Sequence, residues 1–133
     1  MKITDYSKNK ILESMAHWEV PKDFADSMFN YLVYGFGPGG CFTSVLANDF
    51  YGAIQRSHPA NTIQSFKALT GWIHSSVPRE AWGNYDAVSN WTHMTSEQRR
   101  AILERDRLIY TEQDEIMMSL KGRKTHEPIL WEQ

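Results

Sequence analysis

The chain has 133 residues, 41% hydrophobic and 23% charged, which suits one domain large enough to bury a core. Its formal net charge of -2 argues against a general nucleic-acid binder, its single cysteine excludes an intramolecular disulfide, and no stretch approaches the ~18 apolar residues of a membrane span. The N-terminal "MKITDYSKNK" lacks the apolar run of a signal peptide, so a cytoplasmic protein is expected.

Residues 3–18 carry a helical pattern, with Ile11, Leu12, Met15 and Trp18 on one face. Pro21 suits the first turn of a second helix, because its missing N–H has no partner there. Phe24, Met28, Tyr31 and Leu32 continue that helix, and Gly35 ends it. A turn rich in glycine follows, "GFGPGG". Beyond it, Phe42, Val45, Leu46, Asp49, Phe50 and Ala53 predict one helix over roughly 40–56. "SHPAN" breaks it, and Pro59 sits where the next helix can begin. Ile63, Phe66, Leu69, Ile73 and Val77 keep helical spacing up to Pro78. "PREAWGN" reads as a turn or a single helical turn, and Asn84 as the N-cap of a helix that carries Val88 and Trp91.

The composition then changes. "TSEQRRAILERDRLIYTEQDEIMMSLKG" predicts a long charged helix over 95–122, with Thr95 or Ser96 as N-cap and Gly122 as its stop. Ile102, Ile109 and Ile116 are seven residues apart, as are Leu103, Tyr110 and Met117. That seam serves either as the buried stripe of a surface helix or as an oligomer contact, and Asp106 and Gln113 interrupt it. The tail "RKTHEPILWEQ" reads as extended, with Ile129, Leu130 and Trp131 as a docking hook. No period-two strand pattern of useful length appears. The expectation is an all-α fold: a single compact helical domain of five to seven helices with a long C-terminal amphipathic helix. Its parts are a core over 1–94, the charged helix 95–122 as a candidate oligomerisation element, and the tail 123–133.

The candidate chemistry starts with the glycine-rich turn. A helix N-terminus offers unpaired N–H groups and a positive dipole end, and glycine lets the backbone approach an anion closely. Gly39, Gly40 and Cys41 head the expected helix, with Thr43 and Ser44 as further donors. The phosphate-loop pattern fails, because Cys41-Phe42 stands where Lys-Ser/Thr is required. The dinucleotide fingerprint fails too, because a helix precedes the turn. The plain alternative is a tight joint between helices. Cys41 would have its thiolate favoured by the dipole, but no histidine has a diagnostic spacing to it. No metal-ligand spacing occurs, and neither a cofactor nor a catalytic set is read. Asp49 falls on the apolar stripe of its helix and calls for a buried partner, for which Arg56, Arg79 or backbone N–H groups would serve. Asn48 beside it faces a polar groove or caps a neighbour. Trp82, with Arg79 close by, offers a stacking platform. "QRR" at 98–100, with Arg105, Arg107 and "KGRK", forms a local basic surface.

Several of these residues also carry a resemblance. Gly35, Pro38, Gly39, Gly40 and Phe42, then Val45, Leu46, Asn48 and Asp49, then Asn61, Trp72, Pro78, Trp82, Gly83 and Trp91 occur in order over about 31–91. This resembles small functionally uncharacterised proteins of tailed phages and prophages, with a pattern G-x-x-P-G-G-x-F…V-L-x-N-D…W…P…W-G…W. The match covers under half of the chain and leaves out residues 1–20 and 95–122. The group lends no activity and no cofactor. The resemblance implies a small phage protein that binds and blocks. On that basis the expected function is non-enzymatic. One form is a homo-oligomeric sponge that sequesters a small anionic ligand, a host nucleotide immune signal, in the host cytoplasm. The expected ligand-binding set is Gly39, Gly40, Cys41, Thr43, Asn48, Asp49, Arg79 and Trp82. The other form is a protein–protein interaction module that inhibits or adapts a host or phage protein.

Overall fold

In a computed structural model the described residues are 2–126, with side chains described through residue 120. The helices are α1 (Asp5–His17), α2 (Lys22–Tyr34), α3 (Gly40–Leu46), α4 (Phe50–Arg56), α5 (Ile63–Ser76), α6 (Tyr85–His93), α7 (Ser96–Arg105) and α8 (Glu112–His126), with a 3-10 turn at Arg79–Ala81. Among the described residues there are eight α-helices and no strand, in a single compact domain. The all-α expectation is met, but the helix count exceeds the predicted five to seven because two predicted helices are each broken.

The starts are set by capping side chains. Thr4, Asp49, Thr62, Asn84 and Thr95 each accept from a backbone N–H of the first turn. Thr95 and Gln98 form a reciprocal capping box, with bonds of 3.1 and 2.9 Å. Gly35 ends α2 at φ 71, where Phe36 N–H reaches Asn30 C=O at 3.3 Å.

The predicted helix over 40–56 turns a corner instead. Asn48 takes φ 63, and Asp49 caps α4 through a 2.9 Å bond from Gly52 N–H. Asn tolerates the left-handed region and Asp is a strong N-cap, so "ND" restarts the helix although the apolar spacing runs on. The predicted helix over 95–122 also breaks. Arg107 takes φ 59, Leu108 N–H bonds Leu103 C=O at 3.0 Å, and Arg107 N–H bonds Glu104 C=O at 3.0 Å. This is a C-terminal cap of the kind usually built on glycine. It turns Leu108 and Ile109 into the core, 5% and 2% exposed. Burial of two large apolar side chains outweighs the helix propensity of the charged stretch. The seven-residue seam is therefore not continuous: Leu103 and Ile109 are buried while Ile116 and Met117 are more than half exposed. Nor does Gly122 stop α8, which continues to His126. The docking hook Ile129, Leu130 and Trp131 lies outside the described residues.

The core centres on α2, which buries Phe24, Met28, Phe29, Tyr31, Leu32 and Val33. Trp72 and Trp91 are fully buried in the same core. Their indole N–H groups donate to Ser14 Oγ at 2.6 Å and Tyr31 C=O at 3.1 Å, and Tyr31 OH donates to Ala81 C=O at 2.7 Å. Every buried polar atom of a described side chain has a partner. α1 belongs to this core through Ile11 and Met15. Trp18, expected on the same face, is 39% exposed.

The "QRR" segment is not a basic surface. Arg99 and Arg100 are buried, 5% and 8% exposed. Arg99 Nε donates to Val33 C=O at 3.2 Å and Nη1 to Met94 C=O at 2.5 Å, which satisfies carbonyls at the ends of α2 and α6. Arg100 Nη2 meets Glu115 at 2.6 Å and Nε meets Glu104 at 2.6 Å. Glu115 also accepts from Thr4 N–H at 2.9 Å and from the Thr4 hydroxyl at 2.6 Å, so one buried carboxylate ties α1, α7 and α8.

Candidate functional site

The expected site residues fall into two groups. Gly39, Gly40, Cys41, Thr43, Asn48 and Asp49 lie on the α3–α4 corner. Gly39 is the N-cap of α3 at φ 89, and Thr43 N–H is bonded back to Gly39 C=O at 2.9 Å. The Cys41 thiol is half-buried and donates to Ala53 C=O at 3.4 Å. Burial raises its pKa, which reverses the expected activation by the helix dipole. Asp49 is not on an apolar stripe. Its carboxylate, 35% exposed, receives the Tyr85 hydroxyl at 2.5 Å and the Gly52 N–H, with Arg56 at 4.0 Å. The Tyr85 bond, then the Gly52 N–H, lower its pKa, with Arg56 adding to them. Ser44 completes the cluster: it is buried, accepts from Arg56 Nη1 at 2.9 Å and lies 3.1 Å from Tyr85 OH. This network locks the corner to α6. Asn48 and Asp49 line a small recess there of about 90 Å³ with Phe50, Ile54 and Phe66.

Arg79 and Trp82 form the second group, at the joint between α5 and α6. Trp82 donates through Nε1 to Val77 C=O at 3.1 Å, and the Arg79 guanidinium lies 4.8 Å from the centroid of its ring. The His74 ring is also near, at 5.7 Å. Arg79 opens onto a cavity of about 530 Å³ that sequence reasoning did not assemble. Lys10 of α1, His74, Ser75 and Ser76 of α5, and Asp106 and Arg107 after α7 share its wall. None of the other expected residues lines it.

Arg105, beside this cavity, holds the nearest carboxylates. Its guanidinium grips Glu80 through two bonds of 2.6 and 2.8 Å and Asp106 at 2.8 Å. It lowers the pKa of Glu80, and its own is raised by Glu80 first and Asp106 second. One guanidinium thus offsets half of the charge of the two carboxylates it holds. Lys10, Arg79 and Arg107 form no ion pair with any described residue. Aromatic rings hold two of them in place: Lys10 Nζ lies 4.4 Å from the Tyr110 centroid, and Arg79 lies over Trp82. A ring positions a cation without neutralising it. A chain of net charge -2 therefore presents a local excess of positive charge in a concave site of the size that takes small molecules.

No protein-family model, curated protein or solved structure matches this chain. The site stands on its geometry. Among the described residues no group of three or more His, Cys, Asp or Glu is placed to hold a metal ion, and no helix is long and apolar enough to cross a membrane. The sequence signal for the cavity was thin. Lys10, His74, Arg79 and Arg107 come from separate stretches of the chain; Arg79 stood out beside Trp82, and Arg107 only within the expected basic surface.

Proposed function

We propose that this chain is a non-enzymatic, phage-type binding protein that holds a small phosphate-bearing ligand in the cationic cavity. The reading is of a homo-oligomeric sponge that sequesters a host nucleotide signal in the host cytoplasm. The observation that carries the ligand class is the trio Lys10, Arg79 and Arg107 around one cavity, with Arg105 holding the adjacent Glu80 and Asp106. These three cations outnumber the one carboxylate charge left over beside Arg105, and a net positive concave surface favours an anion. Relative to the sequence expectation, the ligand moves from the glycine-rich turn to the Arg79 corner. Trp82 acts through its hold on Arg79. For the oligomer, the support is α8, which leaves Ile116, Met117 and Leu120 exposed at 58%, 56% and 48%.

The test is calorimetry and thermal shift with inorganic pyrophosphate, then with cyclic di- and trinucleotides and ADP-ribose derivatives. Binding is expected for pyrophosphate and for at least one nucleotide, and Arg79→Ala is expected to weaken both at least tenfold. Absence of any stabilisation across the set refutes the reading. Light scattering reports the oligomer, and a strict monomer refutes the sponge form.

A specific feature favours the interaction-module alternative. Phe50, Tyr51 and Ile63 are exposed at 68%, 79% and 67%, on α4 and at the start of α5. Exposed aromatics of this kind anchor protein contacts. Under that reading Tyr51→Ala abolishes capture of a host protein, and pyrophosphate has no effect.

A further inference from the structure

The cationic cavity does not end at His74. The same imidazole lines a second cavity of about 680 Å³, walled by Trp18 and Glu19 on one side and by Lys67 and Gly71 on the other. The two cavities lie end to end along the seam of α1 and α5. On α1, Lys10 and Ser14 line the first cavity, and Trp18, four residues on, lines the second. That spacing puts all three on one helical face. On α5, Gln64, Lys67, Gly71 and His74 form the facing stripe, and from Gln64 to His74 the helix rises about 15 Å. The two cavities meet at His74, with Lys10, Arg79 and Arg107 in one and Trp18, Glu19 and Lys67 in the other, and we treat them as one trough.

The aromatic end is built. The Trp18 ring rests on α5 where Gly71 has no side chain: a Cβ there would stand 2.9 Å from two carbons of the ring. Trp18 keeps 39% of its surface exposed. Glu19 beside it adopts φ 61, an unfavourable conformation for a residue other than glycine. Its carboxylate makes no ion pair or hydrogen bond with any described side chain.

We infer that the trough binds a nucleotide lengthwise, with its base on Trp18, an exocyclic amino group of that base donating to Glu19, and its terminal phosphates among Lys10, Arg79 and Arg107. The inference rests on the anion site proposed above and adds the base. Indole faces stack bases of any identity, and a carboxylate accepts from an amino-bearing edge. Adenine, guanine and cytosine carry that group, and uracil does not.

Calorimetry on the full chain separates the two ideas. The ligands are ATP, CTP, UTP and tripolyphosphate, all with EDTA present. ATP and CTP are expected to bind at least tenfold more tightly than tripolyphosphate and several-fold more tightly than UTP. Trp18→Leu is expected to erase the advantage of ATP while leaving tripolyphosphate binding unchanged, and Glu19→Gln to erase that of CTP over UTP. If all four ligands bind alike, the base site is refuted and the anion site stands. If none binds, the anion site itself is refuted. The comparison of CTP with UTP on the unmodified chain decides the base contact even if a variant fails to fold.

Discussion

Replacing Glu115 should unfasten α8 from α1 and α7 and weaken the whole fold. The carboxylate is 5% exposed and takes bonds from Arg100 Nη2 at 2.6 Å and from the N–H and hydroxyl of Thr4 at 2.9 and 2.6 Å. Burial alone would raise its pKa. The bonds from the Thr4 and Ser7 hydroxyls, the Thr4 N–H and Arg100 outweigh burial and pull it down from 4.5 to about 2. A carboxyl held that low favours the folded state by about 3 kcal/mol at neutral pH. Because the folded pKa is the depressed one, this contribution is complete above pH 4.5 and is lost as pH falls toward 2. A second route gives a similar figure. Removing one member of a buried pair costs about 3–5 kcal/mol, and here Glu104 stays on Arg100 at 2.6 Å, which keeps the cost near the lower end.

The assay is urea unfolding of the native chain and of Glu115→Gln, followed by circular dichroism at pH 7 and pH 3. The variant should be about 3 kcal/mol less stable at pH 7, and the gap should narrow at pH 3. A variant within about 0.5 kcal/mol of the native chain at pH 7 would refute the latch. So would a gap that does not respond to acid, because the loss would then come from shape and not from charge.

Four further outcomes follow from single residues. Gly35→Ala should cost about 1–3 kcal/mol in thermal melts, because Gly35 sits at φ 71 and a Cβ would stand 2.6 Å from Arg99 Nη1. Gly37→Ala, with nothing within 4 Å, should change little. Tyr31→Phe should cost about 1–2 kcal/mol in urea unfolding, since it removes the buried 2.7 Å bond to Ala81 C=O and leaves that carbonyl unpaired. Arg107→Gly should raise stability by about 1 kcal/mol by relieving a left-handed residue, yet weaken pyrophosphate binding by removing a cation from the cavity.

The helical class was legible because most starts and stops are written in local chemistry. Asn84 and Thr95 cap as their side chains predict, and Gly35 closes α2. The breaks were hidden for opposite reasons. At Asn48-Asp49 the apolar spacing of one helix runs straight into the next, so periodicity masks the cap. After Arg105 the chain uses Arg107 where glycine is usual, and only the burial of Leu108 and Ile109 justifies it. Arg99 and Arg100 read as surface charges because their partners are carbonyls and a carboxylate distant in sequence, at Val33, Lys2 and Glu115. The candidate site was half visible. The contact of Arg79 with Trp82 follows from nearness in sequence, whereas Lys10 and Arg107 reach the same cavity only through the packing of α1 and the turn after α7.

Backbone strain falls where the cavities are. Among the described residues, Glu19, Asn48 and Arg107 are the non-glycine positions with positive φ. Glu19 lines the aromatic end of the trough, Arg107 its cationic end, and Asn48 the small recess at the α3–α4 corner. Each lies at a helix end, where glycine would satisfy the backbone more cheaply. Glycine would supply the turn but no side chain. At Arg107 and Glu19 the residue present adds a charge at opposite ends of one trough, positive where phosphates would sit and negative where a base edge would donate. A purely structural cap has no need of either charge. The two substitutions Arg107→Gly and Glu19→Gly therefore make a pair: both should stabilise the fold, and each should weaken a different part of nucleotide binding. If both stabilise and neither alters binding, the charges are incidental and the trough is not a nucleotide site.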